Sequence, residues 1–360
     1  MQAGSDGMSL NTKKSFEYLG HMSAVNKKFL IKELAELWFI YIENTMKPSS
    51  CARYRSYADR YLIPHIGNIE AGSFTMDNLS SLFNFLMSKD YMEEPISQYT
   101  ASILESIIRS MFRYGKENKL IPEIFFGKNR YMVTGKKDAV PLPEFEIQQL
   151  MYVLEGQELD VQLQVMLPLY AGLSLSELCG LKWKDIDLKT GKINVHRNLM
   201  RIQNKTRNKD NSTATVITEC ELPENECREF VMPERLATLL EIIAYKRKMP
   251  QERYVAELGN KTGRGRKPVN LSVTGNNSYV PPDGRTLQYR LKSVGRQAGL
   301  PDITFQTLRD TFVIMCLQAG GDVYSIAYLL GINVSAVCER YGARLVKDDS
   351  FLDGIGGYVL

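Results

Sequence analysis

"TFQTLRDTFVIMCLQAGGDVYSIAYLLGINVSAVCERYGA" spans Thr304 to Ala343. Its apolar residues recur at helical spacing, and the pattern breaks at Gly320-Gly321 and again at Gly331. It therefore predicts a succession of short helices rather than one long one. Arg309 stands near its start and Tyr341 near its end, with few other chemically useful side chains around them. The rest of the chain has to explain what needs that pair.

The bulk composition bounds the answer. A chain of 360 residues is too long for one ordinary core and predicts two or three domains. Hydrophobic residues at 44% and charged residues at 24% describe a globular protein, not a disordered or fibrous one. A net charge of +4 does not identify a nucleic-acid binder, so the distribution of charge must do so. The six cysteines form no CxxC pair and no metal-like spacing with the three histidines, which predicts reduced thiols in a cytoplasmic protein and no metal site. The first thirty residues lack the apolar core of a signal peptide, and no run reaches the ~18 apolar residues of a membrane span.

Upstream, residues 1–28 are weakly patterned and read as a flexible lead-in. "FLIKELAELWFIYIENT" places Leu30, Leu34, Leu37, Trp38 and Tyr41 on one helical face. A second helix runs through "SSCARYRSYADRYLIPHIG", with Ser49 or Ser50 as its N-cap and Pro64 as its end. A third starts after Thr75, and "SQYTASILESIIRSMFRYGKENKLI" makes a fourth, so residues 29–126 form a compact helical bundle. Arg53, Arg55, Arg60, Arg109, Arg113 and Lys116 recur on its polar faces between tyrosines, a pattern shared by DNA-contacting and merely solvated helices. Residues 127–143, with Lys136 and Lys137, read as a basic linker suited to a phosphate backbone. Two further helices, Glu144–Leu154 and Asp160–Ala171, precede a β-rich segment that opens on a hairpin at Lys189-Thr190-Gly191 and ends near Met232. An amphipathic helix follows Pro233, and the loop 260–268 concentrates Lys261, Arg264, Arg266 and Lys267.

Two of these stretches carry a resemblance. "AGLSLSELCGLKWKDID" (Ala171–Asp187) and the stretch from Thr304 resemble the tyrosine recombinase (phage integrase) family, and "YLIPHIGNIEAGSFTMDNL" (Tyr61–Leu79) is similar to its core-binding domain. The family's first motif runs Gly-Leu-Arg-x-x-Glu-Leu-x-x-Leu-x-Trp-x-Asp-Ile. The second runs His-x-Leu-Arg-His-Thr-Phe, then Leu-Leu-Gly-His, then an Arg-Tyr pair carrying the nucleophile. The resemblance covers roughly residues 29–345. It implies a mainly α protein with a mixed α/β part: a four-helix core-binding (SAM-like) domain, then at 144–360 a catalytic-type domain with a small antiparallel sheet, clamping duplex DNA between them. It also implies the chemistry. A tyrosine hydroxyl attacks a DNA phosphodiester, leaving a 3′-phosphotyrosine that another strand reseals, so no cofactor and no small-molecule substrate are needed. Arginine forks suit the charge that grows on the phosphate oxygens.

Against that pattern Arg309 and Tyr341 are retained, but other positions depart. The first arginine falls on Ser174, which with Glu177 also fits a capping box. The hairpin lysine falls on Glu224, with Lys205 and Lys209 as nearby substitutes. Gln306 replaces the histidine before Arg309, and Ile332, which cannot donate a hydrogen bond, replaces the one after Leu-Leu-Gly. Losing one preorganised donor commonly costs about 10²–10³ in rate, and several are missing here. The leading expectation is a DNA-binding protein of a mobile genetic element with an impaired catalytic centre, a pseudoenzyme that binds double-stranded DNA and assembles with its own copies or a partner recombinase. The alternative is an active recombinase cleaving through Tyr341, with Lys205, Arg207, Arg197 or Arg201 replacing the lost groups. A third is a scaffold that no longer binds DNA. Arg309 itself reads either as a phosphate ligand or as an internal ion pair with Asp310 or Glu177. The apolar tail after Asp349 reads as docking on its own domain or on a neighbouring copy.

Overall fold

The computed structural model describes residues 28–46, 48–89, 93–124, 126–128, 131, 139–203, 215–246, 250–256 and 281–345. Lys136, Lys137, Lys205, Arg207, Lys209, Lys261, Arg264, Arg266, Lys267 and the C-terminal tail lie outside them. The chain divides into two compact units, Met1–Thr134 and Gly135–Leu360.

The first unit is helical: α1 (Ile31–Thr45), α2 (Pro48–Tyr57), α3 (Ile63–Ile66), α4 (Met76–Met87) and α5 (Gln98–Glu117). α1 buries Ile31, Leu34, Ala35, Trp38 and Ile42, the i, i+3, i+4 stripe of an amphipathic helix. Tyr41, expected on that face, is 48% exposed instead and lies with its ring 5.0 Å from that of Tyr114. Two more expectations are corrected in the next helix. It begins at Pro48, so the serines stand inside its first turn rather than capping it. Pro64 does not end it either. A π-turn over Ala58–Leu62 intervenes, and the proline falls in the first turn of α3. Thr75 caps α4 by accepting the Asn78 N–H, and Trp38, Phe39, Leu62, Phe83 and Leu104 fill the core.

In the second unit, α6 (Glu144–Glu155) and α7 (Leu159–Ala171) lead to α8 (Leu175–Gly180), then five strands, then α9 (Glu234–Lys246), α10 (Gly284–Gln297), α11 (Phe305–Gln318), α12 (Val323–Leu330) and α13 (Val334–Tyr341). Strands β1 (Ile186–Asp187), β2 (Lys192–Val195) and β5 (Arg228–Val231) form one antiparallel sheet, and β3 (Arg197–Gln203) pairs with β4 (Thr215–Glu221) in a second. The expected hairpin at Lys189-Thr190-Gly191 is present. Asp187 accepts the Lys189 and Thr190 N–H groups, and Gly191 takes φ +68°. α7 is the central helix: Leu163 to Leu169 are buried without interruption, as a helix apolar all round requires. It stops at Gly172, φ +62°, where a side chain would meet the Phe312 ring at 2.6 Å. That stop aims the next residues, Leu173 and Ser174, at the N-terminus of α8 and at α11 behind it.

Candidate active site

The first cluster grows from the α8 N-terminus. Ser174 is its N-cap: its hydroxyl accepts the Glu177 N–H at 3.3 Å, and Glu177 Oε2 accepts the Ser174 N–H at 2.7 Å. This reciprocal capping box holds the Glu177 carboxylate in place. Two guanidinium groups converge on it. Arg228 Nη1 from β5 donates to Oε1 at 2.7 Å, and Arg309 Nη1 from α11 donates to Oε2 at 3.1 Å. Burial pushes the Glu177 carboxyl up, but the hydrogen bond and charge of Arg228 and the charge of Arg309 outweigh it and hold the value at about 2.

Both arginines are otherwise held by backbone. Arg309 Nη1 also donates to the Gly172 carbonyl at 2.8 Å, and Nη2 to the Leu330 carbonyl at 2.6 Å. Arg228 Nε donates to the Leu329 carbonyl at 2.7 Å. The last carbonyls of α12, its negative end, therefore face both cations. Gly331, φ +60°, ends α12, and a side chain there would meet Arg228 Nη1 at 2.8 Å. Arg228 has no exposed side-chain surface, and its Nη2 finds no hydrogen-bond partner among the described residues. Of the two ion pairs open to Arg309 in the sequence, the structure forms the one with Glu177.

The second cluster centres on Asp310, next along α11. Its Oδ1 accepts the Tyr341 hydroxyl at 2.7 Å, Gln306 Nε2 at 2.8 Å and Arg340 Nε at 2.9 Å, and its Oδ2 accepts Arg340 Nη2 at 2.6 Å. Asp310 is almost fully buried, and Tyr341 is 2% exposed in a small core with Phe312, Val313, Leu330 and Val337. Burial, then the hydrogen bond to Asp310, push the Tyr341 hydroxyl well above the ordinary tyrosine value. It stands as a neutral phenol facing inward.

The structure thus brings Ser174 and Arg309 together through Glu177, and Gln306 and Tyr341 together through Asp310. Ile332 is 38% exposed after α12, and Glu224 is exposed in the turn before β5. Arg197 is not a free substitute. It is buried, donating to Asp185 at 2.6 Å beside Glu219 and His196. Sequence reasoning missed Arg228 and weighed Asp310 only as an ion-pair partner of Arg309. Arg228 carried no local signal, because its partner lies 51 residues away. Asp310 did carry one: it falls where the second motif has its second histidine, a carboxylate in a donor's place.

Among the basic residues of the first unit, Arg53 and Arg113 are exposed. Arg55 pairs with Glu36 at 3.0 Å and lies over the Phe39 ring at 4.2 Å. Lys116 pairs with Glu123, and with Arg109 and Arg113 it lines a cavity of about 610 Å³. Arg109 itself is tied to Glu105 and to the carbonyls of Phe126, Gly127 and Lys128.

A helical unit followed by a mixed unit, with arginine and tyrosine delivered by two helices of a C-terminal helical run, defines a class of protein, the integrases. The chain belongs to the phage integrase family, whose model matches residues 141–346, and the model of the phage integrase N-terminal SAM-like domain matches residues 30–87. A relative in Caldanaerobacter subterraneus subsp. tengcongensis, described as "Tyrosine recombinase XerC-like", is 23% identical over 347 residues, covering 91% of this chain and 84% of that protein. Among solved structures, the fold is similar to the Tn1549 transposon integrase in complex with transposon right end DNA, with TM-score 0.65 and 17% identity over 91% of this chain and 99% of that one. It is also similar to a lambda integrase dimer bound to a COC′ core site, with TM-score 0.58 and 14% identity over 89% and 99% of the two chains. No helix among the described residues is long and apolar enough to cross a membrane.

Proposed function

We propose that this chain is a DNA-binding member of the integrase family, belonging to a mobile genetic element and acting inside the cell, with DNA strand cleavage suppressed. One observation carries the reading: both retained motif side chains are engaged internally. The Arg309 fork faces a carboxylate and two carbonyls, and the Tyr341 hydroxyl donates to Asp310. A phosphodiester would have to displace Glu177 from Arg309 and Asp310 from Tyr341, and no arginine stands at position 174 to help it. Duplex DNA is the partner the family resemblance supports, and assembly of copies on it accords with the dimeric lambda relative.

The rival reading is an active recombinase cleaving through Tyr341, in which other basic residues replace the arginine absent at Ser174. Incubation with a nicked trapping duplex separates the two readings. The expected result is no covalent adduct from the unmodified chain, and adduct through Tyr341 once Ser174→Arg, Glu224→Lys, Gln306→His and Ile332→His are combined. Robust adduct from the unmodified chain, abolished by Tyr341→Phe, would overturn the suppressed reading.

A further inference from the structure

Within the first unit, α5 and the chain that follows it enclose the cavity of about 610 Å³. α5 forms one wall, and residues 123, 124, 126 and 127 form the other. Arg109 straps that second wall down by donating to the carbonyls of Phe126 and Gly127, while Glu105 neutralises it. Ser106, Ser110 and Arg113 line the cavity from α5, and none of the three makes a side-chain hydrogen bond or ion pair among the described residues. We propose that this cavity is a phosphate site, which takes a backbone phosphate of duplex DNA on the Ser106 and Ser110 hydroxyls and the Arg113 guanidinium.

Three features support this assignment, which rests on the DNA-binding reading above. The first is spacing. Positions 106, 110 and 113 stand at i, i+4 and i+7, so they share one face of α5 with about 6 Å between successive side chains. Helical side chains lean toward the N-terminus, which carries the Arg113 side chain over the turn that holds Ser110. The second is the state of the serines. A serine inside a helix commonly returns its hydroxyl to the carbonyl four residues back, as Ser80 does to Met76 at 2.8 Å. Ser106 and Ser110 make no such bond, so two O–H donors stay uncommitted on the cavity wall. The third is charge. Arg109 is committed to Glu105 and to backbone, and Lys116 faces Glu123, which leaves Arg113 as the cation without a counter-charge. Hydroxyls together with a guanidinium form a donor set that phosphate oxygens accept from.

The test is the salt dependence of binding to a mixed-sequence duplex, read in variants that remove charge or hydroxyls separately. Arg113→Gln should make the slope of log K against log salt shallower by about one phosphate contact, whereas Arg113→Lys, which keeps the charge, should leave the slope in place. Ser106→Ala combined with Ser110→Ala keeps every charge and suits the helix. It should weaken binding by about threefold to tenfold at each salt concentration and leave the slope unchanged. Full affinity in the serine variant would reduce Arg113 to diffuse attraction and overturn the site, and an unchanged slope in Arg113→Gln would overturn it equally. The backbone amide resonances of Ser106 and Ser110 in the unmodified chain supply a reading that needs no variant. They should shift when duplex is added. A shift with inorganic phosphate but none with duplex would give the cavity to a free phosphate compound and sink the DNA assignment. A chain that binds no duplex fails the DNA reading itself, and resonances that also ignore inorganic phosphate remove the phosphate site with it.

Discussion

Glu177 and Asp310 are both buried carboxylates, and each gathers one of the two side chains that the family motifs retain. They differ in what surrounds them. Glu177 is flanked by two arginines that are themselves closed over by helix-end carbonyls, so the cluster is sealed. Asp310 is flanked by one phenol, one amide and one arginine that still reaches the surface. The same residue chemistry therefore serves the inside of the protein in one place and faces outward in the other. A retained arginine is not evidence of a phosphate site until the acceptors already on its fork are known.

Glu177 is the keystone of the sealed cluster. Glu177→Gln leaves two buried guanidinium groups without a counter-charge, and removing one partner of a buried pair typically costs about 3–5 kcal/mol. Denaturant unfolding of the variant should show that loss as a lower midpoint. A loss under about 1 kcal/mol would mean the carbonyls alone satisfy the arginines.

Acid acts on the same carboxylate. The folded Glu177 value of about 2 lies below the ordinary 4.5, so its contribution is fully present above pH 4.5 and is lost as pH falls from there through about 2. The shift corresponds to on the order of 3 kcal/mol. Unfolding midpoints measured at about pH 5 and about pH 3 should converge further in Glu177→Gln than in the unmodified chain, because the variant lacks this group's share of the acid response. Equal acid responses would remove Glu177 from the account.

The smallest effect belongs to the other carboxylate. Tyr341→Phe removes one donor from Asp310, which keeps Arg340 and Gln306, so the expected loss is about 1 kcal/mol. A loss matching that of Glu177→Gln would show that the two clusters are one cooperative unit, not a sealed one and an open one.

The division of labour between sequence and tertiary structure follows from range. The Ser174–Glu177 capping box, the Thr75 cap, the stop at Gly331 and the 187–192 hairpin are legible because each joins residues within a few positions of one another, where spacing along the chain fixes geometry. The helical stripe of α1 was legible in Leu34, Leu37 and Trp38, which are buried, while Tyr41 finds an exposed place that periodicity alone does not forbid. Motif order named Arg309 and Tyr341. Which acceptors they meet depends on the tertiary fold. The Arg309 fork closes on groups 137, 132 and 21 residues away, Arg228 reaches Glu177 across 51, and Arg340 and Tyr341 reach Asp310 across 30 and 31. A hydrogen bond needs its partners placed to within a few tenths of an ångström, and sequence separations of that size leave their positions free until the core packs around α7 and α11.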